Sequence, residues 1–549
     1  MNATMPRQRM RMGGNANPQK NSFDLSNYWT GSGQIGKLIP IRWDDVTPDS
    51  HWRIKTNMII KLAPILAPIL HRLDAYVHTF WVPYRLCMPK VGNTNTDWEN
   101  FIQGDQNTMF TNDIMPYVPM DEAHKGYYLP SSLANYLGLP HIKATDTIHP
   151  NADININALP FIAYSLIWDE YYRNPWTQPR NCGPDSNWYI DLSGGDMSSD
   201  MTVLMAIRNR SYERDYFTGA YPEAYAGAST DVELDLKWAG GENGTAARAY
   251  LAGTGSQAAA GAISVSATGK LNDATPNDIY IAEGTDDAVS TLEILELRRA
   301  EALTRFLEAE NRTGNERYDE WLKVMFGVQN PDFRDQYPRY ICGGKQAINI
   351  SEVINQSAVY DSTDTLIDPQ GFQTGHAVGA GSTGTKSFHA TEHGILMTIL
   401  SIVPRTAYAG GVEKFWLKSD RTEFYNPHFQ NIGDQAIYDI ELGWDGTITG
   451  AGEDEIWAYA PRFAEYKHKL NIICGEFQES DLEYWHMGRM HDHQDGAPTS
   501  FNGSFHQIIH TEDHNIRIFA SQGTEDHLYI QVYNDIQAIL PMHVTDIPK

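Results

Sequence analysis

Apolar residues in this chain come mostly in short runs broken by turn formers, and few stretches hold a helical period for long. From Ile39 onward such runs alternate with turns. Arg53–Leu62 and Ala75–Val82 are rich in β-branched and aromatic residues, which suit a pleated, half-buried surface, and Pro83 closes the second run. Further strands are predicted at Ala347–Val353, Gly394–Pro404, Ala436–Leu442, His468–Glu476 and His527–Tyr533.

Three stretches read as helices. Ala158–Arg173 carries Pro160 in its first turn and meets Pro175 just beyond its end. Phe161, Ile162, Leu166, Ile167 and Trp168 make it apolar nearly all round, so it should be buried. A second helix opens on a capping box, Ser290 with Glu293, and ends at Gly314. Leu292, Leu295, Ala302, Leu303 and Phe306 form its stripe, interrupted by Arg299. A third, Glu316–Phe326, sets Tyr318, Trp321, Leu322 and Met325 on one face and stops at Gly327.

Between these blocks the composition changes. Residues 225–291 hold 15 Ala and 9 Gly and few large apolar side chains, too few for much core of their own. Asp231–Trp238 and Ile263–Ala267 nevertheless alternate polar and apolar, as half-buried strands do. The chain thus divides into an arm at 1–22, a first body segment at 23–224, an inserted β-rich protrusion at 225–291, and a second body segment at 292–549. Strands at both ends enclosing an insertion point to a mainly β fold, an antiparallel sandwich or jelly roll with large, helix-containing loops. No repeat of fixed period is present.

Composition narrows the classes. With 41% hydrophobic and 11% aromatic residues the chain can build a large core. A net charge of −27 argues against coating nucleic acid over the whole surface and suits a protein that repels its neighbours until a specific contact forms. The arm is the exception. Residues 1–23 contain Arg7, Arg9, Arg11 and Lys20 and no acid. Alternating arginines on such a tail can neutralise phosphates without reading bases, or can simply keep the tail soluble. Cys87, Cys182, Cys342 and Cys474 form no CxxC pair, as expected of reduced thiols in a cytosol-assembled protein. The N-terminus lacks the apolar core of a signal peptide, and the best apolar run, 394–403, is about half the ~20 residues of a membrane span. Ala63–Leu70 is greasy, but its two prolines keep it extended.

Candidate chemistry is thin. Gly379–Gly384 matches GxGxxG, but a strand and not a helix should follow it, so a flexible glycine-rich loop is expected there. His486, His491, His493, His506, His510 and His514 cluster late in the chain. His491-Asp492-His493 could hold a metal as a cupin barrel does, yet its polar, glycine-rich surroundings favour surface or interface histidines. Asp361, Asp364 and Asp368 read as solvated loop acids and not a calcium site. GxSxG is absent, and no carboxylate pair can be specified for sugar cleavage.

Several strings resemble the major capsid protein of the Microviridae, particularly the gokushovirus-like branch. They are Leu38–Pro48 (LIPIRWDDVTP), His78–Leu86 (HTFWVPYRL), Trp98–Gly104 (WENFIQG), Leu159–Arg173 (LPFIAYSLIWDEYYR), Arg214–Thr218 (RDYFT), Glu316–Val328, Glu392–Ile395 (EHGI) and Arg462–Lys467 (RFAEYK). They stand in the family's order; the arm, 225–291 and the last 50 residues match nothing in it. The resemblance implies an eight-stranded antiparallel jelly roll of the viral capsid type. It further implies a T=1 icosahedral shell of identical subunits around a circular single-stranded DNA genome, with an insertion projecting outward near the threefold axes. Residues 225–291 are the candidate for that projection and for contact with a host receptor. Other phage structural proteins and the genome on the inner face are the implied partners, with Arg7, Arg9, Arg11 and Lys20 the candidate nucleic-acid contacts. The implied setting is the virion, assembled in the host bacterial cytoplasm, with no membrane partner, catalytic residue, metal or cofactor. Two other readings stay open: a jelly-roll or cupin-like metal enzyme using His491 and His493, and a carbohydrate-binding β-sandwich.

Overall fold

The structure is a computed structural model. It describes residues 20–542 except 90–96, 104–114, 144, 146–153, 184–189, 192–195, 224–248, 252–262, 266–270, 274–278, 282–334, 355–358, 361–365, 369–372, 431–432, 444–455, 480, 491–508, 510, 512–516 and 521–525. The chain forms two compact units, one of residues 1–223 with 332–549 and one of residues 224–331.

Ten strand segments make the frame of the first unit. They are β1 (Asn21–Asp24), β2 (Asn27–Gly33), β3 (Ile39–Val46), β4 (Ser50–Leu62), β5 (Leu73–Pro83), β6 (Arg339–Ile354), β7 (Gln373–Ser382), β8 (Lys386–Ala390), β9 (Gly394–Pro404) and β10 (Leu528–Leu540). β1 and β2 both pair with β10, and β7 and β8 both pair with β4, so the ten segments fill eight strand positions. One sheet runs β1/β2, β10, β4, β7/β8; the other runs β6, β5, β9, β3; every pairing is antiparallel. Consecutive strands mostly swap sheets, which is the jelly-roll path. β6 belongs to both. Its residues 339–348 pair with β5, and 349–354 pair with β7.

Side-chain alternation explains the packing. Along β4 and β10 inward residues such as Met58, Ile60, Ile530 and Val532 are buried, while Ile59 and Tyr529 face out. Those inward residues share one core with Ile39, Ile41, Leu73, Val77, Leu400 and Ile402 of the opposite sheet. β9 is buried at all eleven positions. Its second face, with that of β5, is covered by the helix α1 (Leu159–Tyr171), so Phe80, Val82, Ile395, Met397 and Ile399 pack with Phe161, Ile162, Ile167 and Trp168. Pro160 sits in the first turn of α1, as expected, and α1 is buried nearly all round.

Two long excursions leave this frame, 84–338 between β5 and β6 and 405–527 between β9 and β10. In the second unit Ala249–Leu251 pairs with Ile279–Ile281, and Ile263–Val265 with Leu271–Asp273. The expected strand Asp231–Trp238 and both helices predicted within 290–326 lie outside the described residues, as do Asp361 and Asp364.

Four expectations need correction. Ala436–Leu442 is not one strand: Asp434–Tyr438 pairs with Ile456–Pro461, and a helical turn, Asp439–Leu442, follows. The Glu441 carboxylate accepts from the Tyr438 amide at 3.1 Å and closes that turn. His468–Glu476 forms no strand: among the described residues its ladder is a single bridge from Ile472 to Tyr408, and Gly475–Gln478 is a 3-10 turn. Residues 379–382 of the supposed glycine-rich loop are the end of β7. There the strand squeezes between β4 and β6, and a Cβ on Gly381 would stand 2.8 Å from Gln346 and 2.9 Å from Met58. Finally, His486 is buried and not on the surface.

Candidate functional site

The strings that are far apart in sequence meet in the fold. Tyr84, just past β5, donates to Asp45 of β3 at 2.9 Å and packs on Trp98 with ring centroids 4.7 Å apart. Trp98 also meets the His393 ring edge-on at 5.7 Å. Arg85 grips Glu392 through two hydrogen bonds of 3.2 Å each and donates a third, 2.8 Å long, to the Asp335 carbonyl. Four strings thus form one joint at the ends of β3, β5 and β9.

A second joint is built on Asp215. Its Oδ1 accepts from the amides of Phe217 (3.0 Å) and Thr218 (2.8 Å) and from the Thr218 hydroxyl (2.9 Å). Its Oδ2 accepts from the hydroxyls of Thr406 (2.6 Å) and Tyr408 (2.8 Å). The neighbouring Tyr216 donates to buried Glu441 at 2.8 Å. Burial raises the Glu441 carboxyl above its ordinary range, against the pull of Lys414 at 3.4 Å. Asp215 therefore ties the first excursion to the start of the second. α1 contributes a third joint: the buried Tyr164 hydroxyl donates to the Leu38 carbonyl at 2.8 Å and accepts from the Arg208 amide at 3.0 Å. Asp169 accepts from the amides of Asn181 (3.0 Å) and Cys182 (2.9 Å). These polar groups are spent on holding elements together.

The exposed chemistry is of another kind. In the second excursion Phe415 and Trp416 are 64% and 74% exposed, and Phe424, Tyr425 and Tyr466 are more than half exposed. Lys418 links the group. Its ammonium bonds Glu465 at 2.5 Å and lies 4.1 Å from the Tyr466 ring and 5.8 Å from that of Phe424. Tyr425 packs on Phe463 at 5.3 Å. The outer face of the first sheet adds Tyr28, packed on Tyr533 at 4.7 Å with the rings tilted by 36°, together with Ile59 and Tyr529. Aromatic surface of this density, rimmed by charge, is the composition of a protein–protein contact.

A cleft of about 510 Å³ is lined by His78, Phe80, Tyr171, Tyr172, Arg210, Glu213 and Tyr340 among others. Arg210 and Glu213 are both engaged within the fold. Arg210 lies 3.8 Å over Tyr76 and donates to Ser401 at 2.8 Å; Glu213 binds Lys345 at 2.6 Å and accepts from Tyr76. Burial, helped by Arg210, lowers His78 to about 4, and its Nδ1 lies 2.7 Å from the Tyr172 hydroxyl. Burial weakens His78 as a base, and its Nδ1 is already engaged with Tyr172.

Of the sequence-predicted site residues, Arg7, Arg9 and Arg11 lie outside the described residues, as do His491, His493, His506, His510 and His514. Lys20 is described and pairs with Asp49 at 2.7 Å. His486 bonds the Phe477 carbonyl at 2.8 Å. Cys87, Cys182 and Cys342 are buried, Cys474 is exposed, and all are free thiols. Sequence reading missed the aromatic patch, whose signal was the adjacent pair Phe415-Trp416 between Lys414 and Lys418.

A jelly roll whose family-like strings form buried joints and whose exposed chemistry is aromatic has the build of a shell-forming protein. The chain is a member of the family described as capsid protein (F protein), whose model matches residues 14–549. It is 26% identical over 548 residues to capsid protein VP1 of Chlamydia phage 1, covering 86% of this chain and 87% of that one. It is 28% identical over 488 residues to capsid protein VP1 of Bdellovibrio phage phiMH2K, covering 82% and 81%. The Microviridae resemblance read from the strings is borne out, and the role is structural.

Proposed function

We propose that copies of this chain assemble into a T=1 icosahedral shell around a circular single-stranded DNA genome, without catalysing any reaction. The observation that carries this reading is the union of a complete jelly roll with a family match over nearly the whole chain. Assembly buries the exposed aromatics of 415–466 against neighbouring subunits and other virion proteins, and takes place in the cytoplasm of the host bacterium. The basic arm, with Arg7, Arg9, Arg11 and Lys20, turns inward to the genome. Residues 225–291 project outward near the threefold axes and offer a surface to a host receptor. Their small side chains suit close packing of three copies, and they follow Arg214–Thr218 in the chain. Electron microscopy of the expressed protein is the test. Closed particles of T=1 size are expected, and a persistent monomer would refute the reading. Deleting residues 2–20 should lower DNA content per particle; unchanged packaging and yield would refute the role of the arm.

A further inference from the structure

Asp49, His51 and His389 converge at the edge of the first sheet. The sheet register sets this up: β8 pairs antiparallel with β4 so that His389 stands opposite His51. The period of two puts both on the exposed face, because Ser50, Trp52, Phe388 and Ala390 on either side point inward. The rings stack at 4.3 Å with 17° between their planes. Asp49 occupies the corner before β4 with φ 61°, a left-handed conformation that Asp tolerates better than most residues. Its amide donates to the Ala390 carbonyl at 2.8 Å, which fastens the corner to β8. Its Oδ1 lies 3.1 Å from His389 Nε2, and one ligand atom from each of the three residues falls within 4.8 Å of the others.

We propose that Asp49, His51 and His389 form a binding site for a divalent transition-metal ion, and that the ion competes there with the ammonium of Lys20. Two imidazoles and one carboxylate, with positions left for water, suit Zn²⁺, Co²⁺ or Ni²⁺; Ca²⁺ and Mg²⁺ would demand more oxygen. Lys20 Nζ holds Asp49 Oδ2 at 2.7 Å, so a dication at the site meets a positive charge already on its carboxylate. Lys20 is the last basic residue before β1 begins at Asn21. Binding of the ion therefore weakens the tether of the basic arm to the sheet, and that tether weakens binding of the ion. The site was invisible in the sequence because its histidines sit on strands far apart along the chain, unlike the clustered histidines of 486–514.

The test is Zn²⁺ titration of the purified full-length subunit by calorimetry, with metal content after dialysis measured in parallel. The comparison set is wild type, His51→Ala, His389→Ala, Lys20→Gln, and a His491→Ala/His493→Ala double variant as control for the other cluster. His51 and His389 are exposed, so their alanine variants should keep the wild-type thermal midpoint. Loss of either is expected to weaken Zn²⁺ binding by at least about tenfold, while the double variant binds as wild type. Lys20→Gln is expected to tighten it severalfold. Wild-type affinity in both His51→Ala and His389→Ala would overturn the site. Unchanged affinity in Lys20→Gln would overturn the competition.

Discussion

Replacing Asp215 by alanine takes an acceptor from two amides and three hydroxyls at once. Each buried donor left without a partner costs on the order of 1–3 kcal/mol, though the losses overlap because the groups are neighbours. A drop of roughly 3 kcal/mol in subunit stability is expected from urea denaturation, and Asp215→Asn should recover part of it. His78 acts through protons. Its folded pKa of about 4 lies below the ordinary 6.5, so as pH falls the unfolded chain takes up the proton first. The stability contribution of neutral His78 is complete above pH 6.5 and is lost as pH falls toward 4. Comparing urea midpoints at pH 7 and pH 4.5 should show a smaller loss for His78→Gln than for wild type.

At the level of elements, the sequence was most legible where one physical signal dominated. β4, β5 and β9 declare themselves by branched and aromatic runs, and α1 by apolar residues on every face between two prolines. Gly394 shows what the runs do not reveal. A Cβ there would stand 2.4 Å from the Val82 carbonyl oxygen, so β9 starts on glycine because β5 passes too close for anything larger. Gly394→Ala is expected to leave little soluble subunit, as measured by the soluble fraction after expression. The misread stretches fail for the converse reason. Ala436–Leu442 has strand-like alternation, but a local carboxylate cap outcompetes the ladder after Tyr438. Gly379–Ser382 has loop-like composition, but it pairs with β4 while Ile348 and Gln346 of β6 leave room for little more than glycine. The joints were legible as strings and not as contacts, because Arg85 and Glu392, or Asp215 and Tyr408, find each other only through the fold.

For the molecule as a whole, the balance lies between repulsion and adhesion. A charge of −27 pushes subunits apart over a screening length of about 8–10 Å, while Phe415, Trp416, Phe424, Tyr425 and Tyr466 offer apolar area to a partner. Trp416→Ser should leave the monomer within about 0.5 kcal/mol of wild type, since the ring is mostly in water. It should lower particle yield in sedimentation by tenfold or more if the ring is a buried anchor in the shell. Wild-type yield would place the contact elsewhere.

β10 is the last strand described, yet it lies inside its sheet, between β1/β2 and β4. The earliest strands of the chain therefore wait for the latest one. While the ribosome is still making residues 405–527, β4 offers an open edge, and β1 and β2 have nothing to pair with. This half of the sandwich therefore needs β10 before its ladder can close. Truncation before Leu528 should give a protease-sensitive product that never sediments with particles. Strand order alone thus makes the sheet of the earliest strands depend on the latest one.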